Sequence, residues 1–187
     1  MIKEKNNTSR LLVKITLVAL FAAFTAAGAF IAVPIGLVPI VLQNIFAILS
    51  GLILGPIMGG AAVALYLLAG LLGLPVFAGG TGGLARFVGP TGGFLVGYLL
   101  AAIVAGLIVG KPKEDTKTSL LKIIIAVFSG ILIVYVPGVT WLKFSSNLSW
   151  VNAIIAGFVP FVAGDIIKGI AAIFITDRLR KIVKNYL

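Results

Sequence analysis

Long runs of apolar residues, broken by Pro and Gly or by charged residues, recur along the whole chain. A helix needs about 20 mostly apolar residues to cross the hydrocarbon layer of a bilayer. The runs therefore predict an all-α membrane protein, a single transmembrane domain over residues 1–187 in which six helices form one bundle. The predicted helices cover about residues 11–33, 40–54, 57–72, 94–109, 119–142 and 152–180. The second of these runs is short for a crossing.

The composition indicates that lipid rather than water surrounds these helices. Of the 187 residues, 60% are hydrophobic and 11% are charged, whereas a soluble domain has roughly 45–50% apolar and 25% charged residues. The N-terminus imitates a signal peptide, because basic residues precede an apolar stretch and Ala27-Gly28-Ala29 resembles a cleavage site. The stretch is too long for such a peptide and similar runs follow it, so we expect a retained first helix.

The net charge of +10 takes its meaning from where the basic residues lie. They lie at the ends of apolar runs and form no basic face interleaved with aromatic residues, which argues against nucleic-acid binding. With six crossings, the positive-inside rule predicts a plasma-membrane protein with both termini in the cytoplasm. The basic residues of that side are Lys3, Lys5, Arg10, Lys14, Lys111, Lys113, Lys117, Lys122, Arg178, Arg180, Lys181 and Lys184. The opposite side has Arg86 and Lys143, and Lys168 lies inside a helix.

The residue types that carry most enzymatic chemistry are missing. The chain has no Cys and no His, which removes thiolate chemistry, disulfides, zinc ligation by imidazole and the usual general base. We therefore expect no metal site, no cofactor and no enzymatic activity.

Two charged residues, Asp165 and Lys168, interrupt the last apolar run. Each costs roughly 2.5–3.5 kcal/mol at the centre of a membrane helix on insertion scales, and residues three apart share a helix face. The pair can neutralise itself as a structural ion pair, relay a proton, or present an anion and a cation to one polar ligand. We favour a ligand site, because an all-apolar helix would be more stable if structure were the only need.

A Gly-rich segment over residues 73–93 separates the third and fourth predicted helices on the outer side. Connections of this length inside a compact bundle are usually functional or disordered. Apolar residues such as Phe77 allow the segment to pack, and its glycines allow close backbone approach or hinge motion. We interpret it as a packed lid, with an ordinary flexible loop as the alternative. Arg86, its only charge, either attracts an anionic solute or lies in water.

The start of the second predicted helix places two amides, Gln43 and Asn44, near the outer face. Each amide offers donors and an acceptor, which suits a ligand with a cyclic urea or amide. The alternative is that both side chains close backbone groups at the helix end. In the first helix, Ala19, Ala22, Ala23 and Ala26 form a small-residue cluster that permits close helix packing in lipid. Spacing alone does not decide whether that cluster faces the bundle or another subunit.

An ordered set of motifs resembles one known family over nearly the whole chain. The motifs are VPIVLQ at residues 38–43, LGP at 54–56, GLPVFAGG at 73–80, GPTGGFLVG at 89–97, PF at 160–161 and GDIIK at 164–168. Each motif alone is weak evidence for a particular family, but the ordered set of motifs is specific. The chain resembles BioY, the biotin-specific S component (substrate-binding subunit) of energy-coupling factor (ECF) transporters.

The resemblance implies a six-helix subunit that captures biotin from outside with high affinity. It implies as partners a transmembrane coupling protein and two cytoplasmic ATPases, with the Ala19-x-x-x-Ala23 pattern facing the coupling protein. Asp165 would then accept a hydrogen bond from a ureido N–H, and Lys168 would donate to the ureido oxygen or pair with Asp165. Arg86 or glycine amides would bind the carboxylate. The remaining candidate ligand-binding residues are Gln43, Asn44, Phe77, Gly79, Tyr98 and Asn152.

Other functions remain open at this point. A second hypothesis keeps the class of protein but changes the ligand to another vitamin, such as thiamin or riboflavin, which are larger or cationic and would favour more aromatic stacking. A stand-alone proton-coupled carrier or channel would instead use Asp165 as a relay. An intramembrane enzyme is disfavoured because the chain lacks His, Cys and paired acids at membrane depth.

Overall fold

The structure, a computed structural model, describes residues 2–112 and 118–186, with side chains from Thr8 onward. The predicted cytoplasmic residues Lys113 and Lys117 lie outside the described residues, as do the side chains of Lys3 and Lys5. The described chain is mostly helical. Its helices are α1 (Ile2–Phe30), α2 (Gln43–Leu54), α3 (Pro56–Leu71), α4 (Leu84–Val88), α5 (Gly92–Val109), α6 (Leu120–Ser145), α7 (Trp150–Gly157) and α8 (Val162–Val183).

Four helical segments are long and apolar enough to cross a membrane. They are Thr8–Phe30, Gly92–Val109, Leu120–Ser145 and Trp150–Val183. The apolar helices α2 and α3 are shorter. With a rise of 1.5 Å per residue, α2 spans about 18 Å, which is less than the roughly 30 Å of a bilayer core.

The structure differs from the predicted helices at three places. The predicted helix over residues 11–33 ends at Phe30, and its last residues, Ala32–Val33, form a strand. The predicted helix over residues 152–180 is interrupted, because α7 ends at Gly157 and the 3-10 turn Val159–Phe161 separates it from α8. Pro160 in that turn has no N–H to continue the helical hydrogen bonds. The predicted helix over residues 40–54 begins only at Gln43, because Ile40–Val41 (β2) pairs in antiparallel fashion with Ala32–Val33 (β1).

Helix α5 lies at the centre of the bundle, where it packs against α2, α3 and α6. Helix α1 packs on α2 and α3, and α8 packs on α2 and α6. Small residues of α5, including Ala101, Ala102 and Ala105, are fully buried and allow the neighbouring helices to approach closely. The outside of the bundle is apolar, as the exposed side chains of Leu107, Leu132, Phe174 and Ile57 illustrate, which suits a lipid environment.

One buried cation, Arg180, ties helix ends together where α8 finishes. Its guanidinium donates to the carbonyl oxygens of Leu52, Val109 and Gly110, and its Nε lies 2.9 Å from Oγ1 of Thr118. The last carbonyls of a helix have no partner within the helix. Arg180 therefore supplies donors to the ends of α2 and α5 and joins them to α8. We call this the basic end of the bundle, where residues 9–14, 109–112 and 178–184 meet.

Replacing Arg180 with Leu is expected to destabilise the bundle. The change leaves buried carbonyls without donors, at about 1–3 kcal/mol for each. Thermal unfolding of the purified protein, followed by loss of the monodisperse elution peak, measures the effect. Arg178→Leu is the matched control, because Arg178 lies on the same helix but is exposed. Equal melting temperatures for the two variants would contradict the tying role of Arg180.

Candidate functional site

A cluster of four polar side chains lies between α2, α6 and α8, in the half of the bundle away from the basic end. Asp165 accepts from Nδ2 of Asn44 at 2.9 Å and from the hydroxyl of Tyr135, and it forms a salt bridge of 2.5 Å with Nζ of Lys168. Lys168 also donates to Oδ1 of Asn44 and to the carbonyl oxygen of Val41, each at 3.0 Å. The cluster thus joins three helices through one carboxylate and one ammonium group.

The four side chains of this cluster are bonded to one another because they are shielded from water. Asp165 is 4% exposed and Asn44 is 9% exposed, so an unpaired charge here would carry a large desolvation cost. Lys168 follows Asp165 by three residues in α8, which places both on the same helix face. All three ammonium protons of Lys168 have acceptors, whereas the carboxylate of Asp165 retains one unused acceptor position. A ligand N–H can therefore bind Asp165 without displacing a protein donor.

Two adjoining pockets open beside this cluster. The first is lined by Asn44, Tyr135, Phe161, Asp165 and Lys168 together with apolar neighbours. The second is lined by Gln43, Phe77, Ala78, Arg86 and Thr91 among others. The two pockets share the lining residues Val38, Pro39, Val41, Phe94 and Tyr98. The two pockets therefore adjoin at these residues, and we call them together the slot, with Asp165 in one part and Arg86 in the other.

The slot is narrow. Its two parts have cavity volumes of about 20 Å³ and about 30 Å³. A cavity needs roughly 10–15 Å³ to hold one water molecule. Entry of a bicyclic ligand therefore requires the lining residues to move apart.

The segment between α3 and α5 forms one wall of this slot. Phe77 is buried, its ring centroid lies 5.5 Å from that of Tyr66, and its backbone N–H donates to the carbonyl oxygen of Thr81. A Cβ added to Gly70 would lie 2.1 Å from the Phe77 ring, so only glycine at position 70 allows this contact. Trp141 of α6 anchors the other end of the segment by donating from Nε1 to the Gly89 carbonyl at 2.9 Å.

The structure brings together most of the predicted ligand-binding residues. Of these, seven line the slot: Gln43, Asn44, Phe77, Arg86, Tyr98, Asp165 and Lys168. Gly79 is exposed beside the lining residue Ala78, and neither part of the slot includes it. Asn152 lies on the exposed first turn of α7, where its backbone N–H donates to Oγ of Ser149, and it does not line the slot.

Sequence reasoning missed Tyr135. Its hydroxyl binds the carboxylate of Asp165 directly, and its ring packs edge-on against Phe158 at 4.7 Å between centroids. The available signal was a single Tyr in the middle of an apolar run, since a buried Tyr hydroxyl usually finds a partner. The spacing between positions 135 and 165 gave no indication that α6 and α8 meet there.

The predicted small-residue interface on α1 divides between two faces. Ala19 and Ala23 are exposed, whereas Ala22 is buried within the bundle and Ala26 is half-buried against the core. The exposed face therefore has the spacing of four between Ala19 and Ala23, and Ala22 packs inside.

Comparisons with known proteins agree with each other. The model of the BioY family matches residues 3–185. The chain is 42% identical to the "Probable biotin transporter BioY" of Pyrococcus horikoshii, covering 89% of this chain and 96% of that protein. It is 43% identical to the "Biotin transporter BioY" of Thermotoga maritima, covering 87% and 93%. A crystal structure described as the S component for biotin from an ECF-type ABC transporter superposes with a TM-score of 0.81 at 36% identity, covering 90% of each chain.

The family match extends over nearly the whole chain, the relatives exceed a third in identity over most of their own length, and the fold is shared. The chain belongs to the BioY family.

Proposed function

We propose that the chain is the biotin-specific S component of a vitamin uptake system. The observation that carries the proposal is the slot itself: a buried carboxylate and ammonium at one end, an arginine at the other and apolar walls between them. Biotin has a polar ureido head, an apolar bicycle and a carboxylate tail, and the slot offers matching chemistry in the same order. Family membership supports the same ligand.

The proposed pose follows from the unused hydrogen-bonding capacity of the cluster. A ureido N–H donates to the free acceptor position of Asp165. Lys168 then donates to the ureido oxygen and gives up its hydrogen bond to either the backbone carbonyl oxygen or the amide oxygen that it contacts in this structure. The bicycle lies against Phe94 and Tyr98, and the tail points toward Arg86, which lines the far end of the slot.

The Gly-rich segment over residues 73–93 acts as the lid in this proposal. It provides Phe77, Ala78 and Arg86 to the slot wall, and the slot must widen to admit the bicycle. The left-handed backbone of Gly73 (φ +98°) and Gly83 (φ +87°) gives the segment positions where a backbone change costs little. Phe77 supplies the packing that holds the segment closed.

For the membrane arrangement we propose six crossings with both termini in the cytoplasm. The four long apolar segments supply four of these crossings, and α2 and α3 supply the two shorter ones with their flanking loops. Basic residues gather at one end of the bundle, which the positive-inside rule assigns to the cytoplasm. The slot then opens toward the outside.

For partners we propose a transmembrane coupling protein and two ATPase subunits. The face of α1 that carries Ala19 and Ala23 is exposed, and small residues at that spacing permit close contact with another membrane helix. ATP hydrolysis is then the task of the partners, and the proposed role of this chain is to bind and carry biotin without catalysing a reaction.

A vitamin panel tests the ligand. The purified chain is heated with biotin, thiamin or riboflavin, and its melting temperature is recorded. We expect biotin, and neither of the other two vitamins, to raise the melting temperature, since a ligand that binds only the folded state stabilises it. A shift with thiamin or riboflavin instead would replace biotin in this proposal. Proton flux through liposomes that contain this chain alone would favour the carrier alternative.

The role of Arg86 gives a separate prediction. Arg86→Gln is expected to weaken binding of biotin about tenfold, because a partly exposed charge pair contributes about 1 kcal/mol or slightly more. Binding of biotin amide, whose tail is neutral, should change little. Titration of both ligands into the wild type and the variant measures the difference. An equal loss for both ligands would show that Arg86 acts on the shape of the lid and not on the carboxylate.

A further inference from the structure

A second pocket with a different chemistry lies at the basic end of the bundle. It is lined by Lys14 of α1, Leu54, Ile57 and Met58 around the start of α3, and Lys111 and Pro112 after α5. Its cavity volume is about 210 Å³, which is larger than either part of the biotin slot. It combines two cationic side chains with an apolar wall, and neither the ligand site nor the predicted coupling face uses it.

The two lysines have no acid partner among the residues whose side chains the structure describes. The acids of that part of the chain are Asp165 and Asp177, and they pair with Lys168 and Lys181. Lys14 is half-buried within an apolar stretch of α1, where an ammonium group is costly unless it reaches an anion or the interface. Among the described side chains, the pocket therefore has two cations and no anion, which favours an anionic ligand.

The depth of the pocket and its wall identify the kind of anion. Lys14 lies about 24 Å along α1 from Phe30, as the helix rise gives, so it sits near one edge of the roughly 30 Å hydrocarbon layer. Ile57 is 71% exposed beside it, so the apolar wall continues onto the lipid-facing surface. A soluble phosphate would not use that wall, whereas a phospholipid fills both halves.

We propose that this pocket binds the headgroup of an anionic phospholipid. Lys14 and Lys111 bind the phosphate, and one acyl chain lies along Leu54, Ile57 and Met58. Basic pockets between membrane helices on the cytoplasmic side are typical sites for such headgroups. The bound lipid bridges α1 to the connection after α5, two elements that carry separate parts of the basic end.

Native mass spectrometry of the purified full chain tests the proposal. The protein is titrated with phosphatidylglycerol or phosphatidylcholine, and retained lipid is counted for the wild type and the Lys14→Gln/Lys111→Gln double variant. We expect the double variant to bind phosphatidylglycerol about 30-fold more weakly, or about fivefold per lysine, with no change for phosphatidylcholine. Lys122→Gln is the matched control, because Lys122 is an exposed lysine of the same end that does not line the pocket. It should retain phosphatidylglycerol as the wild type does.

Two outcomes would overturn the proposal. The first is equal retention of phosphatidylglycerol by the wild type and by a double variant that still elutes as a monodisperse peak. If that variant also assembled more weakly with a coupling protein, the two lysines would be assigned to an acidic protein segment. The second is displacement of the lipid by millimolar inorganic phosphate, which would assign the pocket to a soluble anion.

Discussion

Asp165→Asn is expected to weaken biotin binding about 30-fold or more. The asparagine keeps the shape of the side chain, but it removes the charge that pairs with Lys168 at 2.5 Å and accepts from Asn44 and Tyr135. In the proposed pose the carboxylate also accepts from a ureido N–H of biotin, and losing one buried charge-assisted hydrogen bond to a ligand costs about 2–5 kcal/mol. The amide also keeps one acceptor oxygen where the carboxylate has two. Calorimetric titration of the purified variant with biotin measures the loss.

The same helix offers a matched control for this variant. Asp177 also pairs with a lysine of α8, with 2.6 Å between its Oδ2 and Nζ of Lys181, but both side chains are about half exposed. Asp177→Asn removes a carboxylate of the same type outside the slot, and exposed ion pairs contribute about 0–1 kcal/mol. Its affinity for biotin should equal that of the wild type. A similar loss in both variants would show that the effect is general to α8, and unchanged affinity in both would remove Asp165 from the site.

Gly51→Ala is expected to prevent stable packing of the bundle. A Cβ at position 51 would lie 1.9 Å from the carbonyl oxygen of Ala102 in α5. On the α3 side, a Cβ at Gly59 would lie 2.5 Å from Cα of Gly51, so α2, α3 and α5 meet there at backbone contact. Since the obstruction is backbone and not the end of a flexible side chain, α2 must move away. Overpacking typically costs about 1–3 kcal/mol and more in occasional cases, and we expect the upper end here because the obstruction is backbone. The effect is measured as a lower melting temperature or as loss of the monodisperse protein.

Gly164→Ala is the control for this prediction. Gly164 also lies in a helix, but an added Cβ there meets nothing within 4 Å. Replacing Gly with Ala in an open helical position stabilises by up to about 1 kcal/mol, so Gly164→Ala should melt at or above the wild-type temperature. If Gly51→Ala and Gly164→Ala had the same melting temperature, the close approach of α2 and α5 would not be needed for stability.

Much of the fold was predictable because the bilayer constrains it. Apolar runs bounded by Gly and Pro predicted both ends of α3, α5 and α6 to within about three residues. The interruption after Gly157 was harder to predict, because the residues around Pro160 are as apolar as the helices on either side. The pairing of β1 with β2 was also hidden, since residues 32–41 read as helix ends and not as strands.

The candidate site was predictable in its charged residues and less so in its geometry. Asp165 and Lys168 stand out because charges are costly at membrane depth. Gln43 and Asn44 stand out because an amide without a hydrogen-bond partner is also costly in an apolar environment. Asn152 does not line the slot. A polar residue near the start of a helix can equally lie in an exposed first turn, and the sequence does not distinguish that position from one in a ligand site. Tyr135 was missed because its role depends on the contact between α6 and α8, which no sequence spacing reports.

Calorimetric titration of biotin into the purified chain, without any partner protein, measures directly whether this chain alone binds the vitamin. We expect tight one-to-one binding that is retained in Asp177→Asn and lost or strongly weakened in Asp165→Asn. If a folded, monodisperse wild type did not bind biotin, the assignment of the slot as a biotin site would be wrong, whatever the behaviour of the variants.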